Sequence, residues 1–333
     1  MSTKQKVVTS NGTIRMKKRK IDASDIQLYT LCVIPILLVL IFKYVPMFGI
    51  VIAFKNYTYG GGIWGSPWVG LKNFEFFFRS GEMVRLIRNT LGNNFLFIVF
   101  GIVASLAVAI LLFELKSRNA TKVFQTILIT PHFMSWVVVA YMAYAILNPN
   151  GGFLNQFTES FQKFFGIIGE AEEVTTDWYS KPNAWPIILT IASVWKNVGM
   201  DSVVYYASLM GIDTSLFEAA EVDGANKWQR TIHIVLPSLV PLIVILTILK
   251  IGGIFHSDFG LFYNVTMESA GGILKETTDV IDTYIYNALL DPSAANTYGQ
   301  TAAVGLMQSI VGMVLVITTN ALSKKVDKDL GLF

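Results

Sequence analysis

The chain has 333 residues, of which 53% are hydrophobic and 15% charged; it is too apolar and too poor in charge for an ordinary soluble domain. A formal charge of +3, with basic residues gathered beside apolar runs rather than along one stripe, excludes nucleic acid as a partner and points to membrane lipid. A single cysteine, Cys32, excludes an internal disulfide and a cysteine-clustered metal site, and His132, His233 and His256 lie too far apart in sequence to suggest a metal centre.

Apolar runs recur at about residues 28–54, 93–113, 123–147, 184–208, 237–258 and 300–322, each long enough to cross a hydrocarbon core of about 30 Å. They are continuous rather than alternating, so helices are expected and not barrel strands. The expected fold class is all-α, a polytopic membrane protein with about six transmembrane helices. The chain divides into a basic segment (1–27), a first transmembrane helix with an outer glycine-rich and aromatic segment (28–88), a core of five further helices with a short loop at 213–237 (89–322), and a tail (323–333).

Basic residues crowd the start (Lys4, Lys6, Arg15, Lys17, Lys18, Arg19, Lys20), one short link (Lys116, Arg118, Lys122) and the tail (Lys324, Lys325, Lys328). By the positive-inside rule these are cytoplasmic, both termini included. The acidic segments, with Glu159, Glu170, Glu172, Glu173 and Asp177 in one and Glu268, Glu276, Asp279, Asp282 and Asp291 in the other, then face outward. Residues 55–88 disagree: helix parity puts them outside, yet they carry Lys55, Lys72, Arg79, Arg85 and Arg88. The first apolar run is long and has no evident small-residue cleavage site, so an uncleaved first helix is expected.

The outer segment 55–88 reads as turns around Gly60, Gly61, Gly62, Pro67 and Gly70, with Trp64 and Trp68, followed by a belt of Phe74, Phe76, Phe77 and Phe78. Gly60, Gly62 and Gly65 satisfy G-x-G-x-x-G, but no dinucleotide-fold strand or helix accompanies them. The outer segment 148–183 opens on Asn148, Pro149, Asn150, Gly151 and Gly152. It continues into an amphipathic run through Phe157, Phe161, Phe164 and Phe165, expected to lie flat on the outer leaflet.

The fourth helix carries Ser193, Asn197, Asp201, Tyr205 and Ser208 within about one third of its circumference. A charge at a helix centre costs about 2.5–3.5 kcal/mol on insertion scales, so Asp201 and Lys196 should face protein or water. They lie roughly 140° apart around the helix and cannot easily neutralise each other. Lys250 of the fifth helix is one expected partner for Asp201. Ser193 and Lys196 also form S-x-x-K, a spacing that activates serine in some hydrolases, without the companion motifs.

Between the fourth and fifth helices, Ser215 and Glu218 have capping-box spacing, Leu216, Phe217 and Ala220 give an apolar face, and Gly224 is placed to end a short helix. A second short helix is expected to run from there toward Pro237. The order Glu218, Ala219, Ala220, then Asp223 and Gly224, then Ile234, Leu236 and Pro237 resembles the cytoplasmic loop of ATP-binding-cassette importer membrane subunits, E-A-A, three residues, G, nine residues, I-x-L-P. Val69, Gly70, Leu71, Asn73 and Phe74 extend the resemblance toward the carbohydrate-uptake branch, of the polysaccharide and maltose types.

That resemblance implies a permease subunit in the bacterial cytoplasmic membrane, a transporter and not an enzyme. It implies a second homologous permease in a heterodimer, two ATPase subunits and an extracytoplasmic solute-binding protein. It also implies that the loop sits in a cleft of the ATPase, with Glu218 meeting a basic residue there. The chain has no G-x-x-x-x-G-K-[ST] loop, so it holds no cofactor of its own, and ATP and Mg belong to the partner ATPase. In maltose-type relatives the stretches matching about Ser193–Met200 and Lys250–Ser257 contact sugar. The expected pathway is therefore Ser193, Trp195, Lys196, Asn197, Asp201 and Tyr205 with Lys250, Phe255, Ser257 and Asp258, whose hydroxyl, amide and aromatic groups suit sugars. If Lys196 and Lys250 both reach it unpaired, an anionic sugar such as a uronic-acid oligosaccharide is expected. A non-sugar solute, or an intramembrane Ser193/Lys196 hydrolase, are the competing readings.

Overall fold

The computed structural model describes residues 4–8, 14–18, 23–79, 81–115, 117–165, 175–267, 272–290 and 297–326. Arg19, Lys20, Lys116, Glu170, Glu172, Glu173, Glu268, Asp291 and Lys328, which entered the charge argument, lie outside them. Among the described residues a small antiparallel ribbon pairs β1 (Lys4–Val8) with β2 (Ile14–Lys18). The membrane body is helical.

Five described helices are long and apolar enough to cross a membrane: Tyr29–Phe54, Met83–Phe113, Pro182–Leu209, Lys227–Gly252 and Thr297–Lys325. Arg118–Phe133 and Trp136–Leu147 make a sixth crossing if taken together, but they are bent by 98°. The straight third helix expected over 123–147 is therefore a broken one. Pro131 brings no backbone N–H to the break, and Ser135 starts the second half by accepting a hydrogen bond from Val138 N at 3.3 Å. In chain order these are the first to sixth spans, the bent pair being the third.

Two spans contain a π turn, and both turns precede a proline. Leu40–Tyr44 leads into Pro46, and Thr231–Val235 into Pro237. Proline cannot donate to the carbonyl four residues back, and its ring crowds that carbonyl; one wider turn relieves both problems without ending the helix. The second short helix expected after Gly224 is accordingly not separate. Lys227–Arg230 runs through the π turn into Leu236–Gly252.

The second and fourth spans pack along their lengths, and the sixth packs on the fifth. The first span lies apart: its side chains are exposed from Tyr29 to Phe48, and among the described residues it joins the bundle chiefly through the 3-10 segment Phe48–Phe54 against the sixth span. Three apolar clusters hold the rest. Trp185, Leu189, Leu261, Phe262 and Val280 fill the half near residue 280, Leu86, Phe255, Ile281 and Val304 a second pocket, and Ala109, Leu209, Val235 and Leu239 the end near residue 213.

Three of the five basic residues that disagreed with the charge rule have structural employment. Lys55 is buried and donates to the carbonyls of Ile63 and Trp64, each at 2.9 Å. Arg85 reaches Asp279 at 3.1 Å, and Arg88 donates to Glu276 O at 2.8 Å. Charge locked into a fold is not available to report topology.

Candidate functional site

The second, fourth and fifth spans enclose a polar cavity of about 320 Å³. Its wall carries Asn94, Gly101 and Ser105 from the second span, Ser193, Asn197 and Asp201 from the fourth, and Lys250, Gly253 and His256 from the fifth and the turn after it. The four-residue spacing of Ser193, Asn197 and Asp201 lays one polar line down a helix face. Across the cavity Lys250 Nζ meets Asp201 Oδ2 at 2.7 Å, the interhelical pair expected, with the two side chains 35% and 34% exposed.

The fifth span unwinds at Gly252–Gly253, which frees backbone carbonyls at membrane depth. Asn94 answers them, donating to Ile254 O at 2.7 Å and His256 O at 3.2 Å, and to Ser257 Oγ at 3.2 Å. Ser257 is thus fixed at the cavity's edge, its own N–H donating to Asp282 Oδ2 at 2.7 Å. Ser105 Oγ is buried without a hydrogen-bond partner.

Five of the expected pathway residues point elsewhere. Lys196 is buried; its Nζ donates to His132 O at 2.7 Å and lies 5.1 Å from the Trp136 ring centroid. It caps the carbonyl end of Arg118–Phe133, where a cation suits the helix dipole. Trp195, two residues past Ser193 and so on another face of the helix, lines an apolar groove with Leu96, Phe100 and Ile191. Tyr205 is buried beside Ala109 and Leu209, and Phe255 packs with Leu86 and Ile281. Asp258 braces the turn, accepting from Trp136 Nε1 at 2.7 Å and Leu261 N at 3.3 Å.

Both lysines are therefore partnered, so the unpaired-lysine premise for an anionic sugar fails. No hydrogen bond joins Ser193 to Lys196, whose ammonium is held by His132, so S-x-x-K is a spacing without the contact it would need. Sequence reasoning missed Asn94 and Ser105. Asn94 had a signal, since Asn89, Asn93 and Asn94 cluster where an apolar helix is expected. Asn89 and Asn93 serve the end near residue 277, donating to Glu276 O at 2.9 Å, Asp279 O at 3.0 Å and Thr277 O at 3.0 Å. In that segment burial pushes the Asp279 and Asp282 carboxyls above the ordinary range, against the opposing pull of Arg85 on the first and of the Ser257 N–H on the second.

The second feature is the helix Thr214–Val222, which joins the fourth and fifth spans. Asp213, not Ser215, caps it: Asp213 Oδ1 accepts from Ser215 N at 2.9 Å, and that hydrogen bond holds its carboxyl below the usual range. The reciprocal capping box expected at Ser215 and Glu218 occurs instead at Asn226 and Gln229. At the other end Gly224 has φ +74°, as expected for a glycine stop. Ala225 N donates to Ala220 O at 2.9 Å and Gly224 N to Glu221 O at 3.1 Å, the paired bonds of a Schellman ending.

Phe217 packs inward on Phe113, ring centroids 5.7 Å apart, and Lys227 pairs with Glu114 at 2.8 Å. Glu218, Ala219, Asp223 and Gly224 are exposed, and Glu218 has no hydrogen bond or ion pair among the described residues. Ala220, Asp223, Gly224 and Ile234 line a notch of about 340 Å³ between this helix and the next, with Leu236 half-buried behind it and Pro237 exposed. Among the described residues no group of three His, Cys, Asp or Glu side chains is arranged to hold a metal.

Residues 95–329 match the family described as binding-protein-dependent transport system inner membrane component. Protein LplB of Bacillus subtilis is 34% identical over 93% of this chain and 92% of its own length. The polygalacturonan/rhamnogalacturonan transport system permease protein YteP of Bacillus subtilis is 34% identical over 86% of this chain and 84% of its own. Among solved structures, a bacterial ABC transporter involved in the import of the acidic polysaccharide alginate superposes with a TM-score of 0.76 at 31% identity, covering 91% of this chain and 97% of the other. The same transporter is also known in complex with a periplasmic protein carrying an alginate pentasaccharide.

Proposed function

Because this chain belongs to the family of binding-protein-dependent transport system inner membrane components, we propose that it is the permease subunit of an ATP-driven oligosaccharide importer and that its cavity takes acidic saccharides. The acidic class rests on the relatives, whose names specify polygalacturonan, rhamnogalacturonan and alginate, and not on free lysines. A carboxylate entering the cavity competes with Asp201 for Lys250, while sugar hydroxyls meet Asn94, Ser193 and Asn197. Transport rather than hydrolysis follows from the family.

The observation that carries the reading is the exposed helix Thr214–Val222 rooted in the two spans that hold the Asp201–Lys250 pair. Its ends are capped and its inner face is fixed by Phe217, so it moves as a rigid handle. An ATPase that grips Glu218 and the notch beside it displaces the fourth and fifth spans, and the cavity between them changes shape. The partners are two ATPase subunits, which bind ATP and Mg, a second homologous permease and an extracytoplasmic solute-binding protein. The membrane is the bacterial cytoplasmic one, with both termini and the coupling helix on the cytoplasmic side.

The test is co-purification of the tagged chain from its native membrane in mild detergent, comparing the intact chain with Glu218→Lys. The expected result is an ATPase and a second permease with the intact chain, and loss of the ATPase alone with the variant. Recovery of neither partner with the intact chain overturns the reading.

A further inference from the structure

The helix Phe153–Phe164 follows the third span after a short turn at Asn148–Gly152, at the end of the bundle opposite the coupling helix. One face is firmly attached. Asn155 is buried; its amide donates to Thr176 O at 3.0 Å and Pro149 O at 3.3 Å, and its oxygen accepts from Trp178 Nε1 at 3.3 Å. Leu154 packs on the apolar cluster around Trp185. These contacts fix the helix's rotation about its own axis.

That rotation turns a row of phenylalanines away from the protein. Phe153, Phe157, Phe161, Phe164 and Phe165 are between 51% and 84% exposed. Successive rings lie 6.3, 6.4 and 4.6 Å apart along Phe153, Phe157, Phe161 and Phe165, so they form one apolar ridge. On a helical wheel Phe153, Phe157, Phe161 and Phe164 fall within roughly 80°, while Asn155 lies on the opposite side and Gln156 and Lys163 occupy the sector between. The helix thus presents three strips: one to the bundle, one apolar and one polar.

The ridge begins where the third span, with its exposed face of Val137, Tyr141 and Tyr144, ends. That face belongs to a membrane crossing, and the ridge continues it around the corner into a helix too short and too amphipathic to cross. We infer that the ridge is a lipid-binding surface seated in the outer leaflet at the boundary between headgroups and acyl chains. It anchors the outer half of the broken third span at a fixed depth. Lipid, rather than a protein partner, is the occupant because the ridge continues the exposed apolar face of a membrane crossing, and because a polar strip borders it on the water side.

The inference is tested in the full chain, purified with its partner chains and reconstituted into phosphatidylethanolamine/phosphatidylglycerol vesicles. In a Cys32→Ser background, nitroxide labels are placed at Phe161→Cys, at Phe164→Cys and, on the polar strip, at Gln156→Cys. The expected result is that labels at 161 and 164 collide with oxygen several-fold more readily than with a water-soluble nickel chelate, at a depth of about 5–10 Å, and that the label at 156 shows the reverse. Nickel access equal at all three sites overturns the inference in favour of water. Exclusion of both reagents at 161 and 164 overturns it in favour of a protein partner. The two phenylalanine sites are independent, so failure of one variant to fold leaves the other to decide.

Discussion

The coupling helix and the polar cavity are built on the same two spans, yet they are made in opposite ways. Around the cavity Lys250 is used by Asp201 and Asn94 by the unwound fifth span, and on another face of the fourth span Lys196 is used by the broken third. On Thr214–Val222 the backbone is capped at both ends, while Glu218 is left without a partner and its neighbours are exposed. Substitutions inside should therefore cost fold before function, and substitutions on the helix should cost partner binding before fold.

The sharpest way to break that contrast is at Gly199. A Cβ there would stand 1.9 Å from Leu128 O, a backbone atom with no rotamer to give. Gly199→Ala should therefore separate the third and fourth spans and destabilise the chain by about 3 kcal/mol, read as a large fall in the melting temperature of the detergent-solubilised chain. A wild-type melting temperature would mean that the two spans are not in contact there. Lys196→Met should follow at about 2 kcal/mol, because the His132 carbonyl loses a charged donor at a helix end. Lys196→Arg should restore part of the loss, since the charge and a donor remain.

The mildest change sharpens the other side. Gly224→Val forces a β-branched residue to φ +74°, a local strain of about 1–3 kcal/mol. It should unravel the last turn of the coupling helix and reduce recovery of the ATPase, with the melting temperature of the bundle little altered. Gly224→Asn, which tolerates the left-handed region, should keep the ATPase bound. Equal loss with both variants would mean that the glycine serves contact, not conformation.

The same contrast explains what could be read from the sequence. A short loop motif is written as a linear string, so Glu218, Ala219, Ala220, Gly224, Ile234, Leu236 and Pro237 were legible together. The spans were legible too, because lipid demands long apolar runs. The cavity was legible only in part: Ser193, Asn197 and Asp201 repeat along one helix, and Lys250 was paired with Asp201 because each buried charge needs an opposite. Trp195, Tyr205, Phe255 and Asp258 were chosen by residue type and neighbourhood, and neither fixes which way a side chain points. Lys196 was misjudged for a clearer reason. Its partner is a backbone carbonyl at a helix break, and a carbonyl has no residue type to announce it.

That break also bears on how the protein is made. The free carbonyl of His132 is met by Lys196, 64 positions later in the chain, and the close approach of the two spans depends on Gly199. While the third span is leaving the ribosome, neither of those residues has yet been translated. A helix bent by 98° with an unanswered carbonyl is costly in lipid, so the third span cannot settle alone. Its bent form is complete only once the fourth span is beside it. The two segments then enter their final places as a pair, which makes the link between them, and not either helix, the unit on which correct insertion depends.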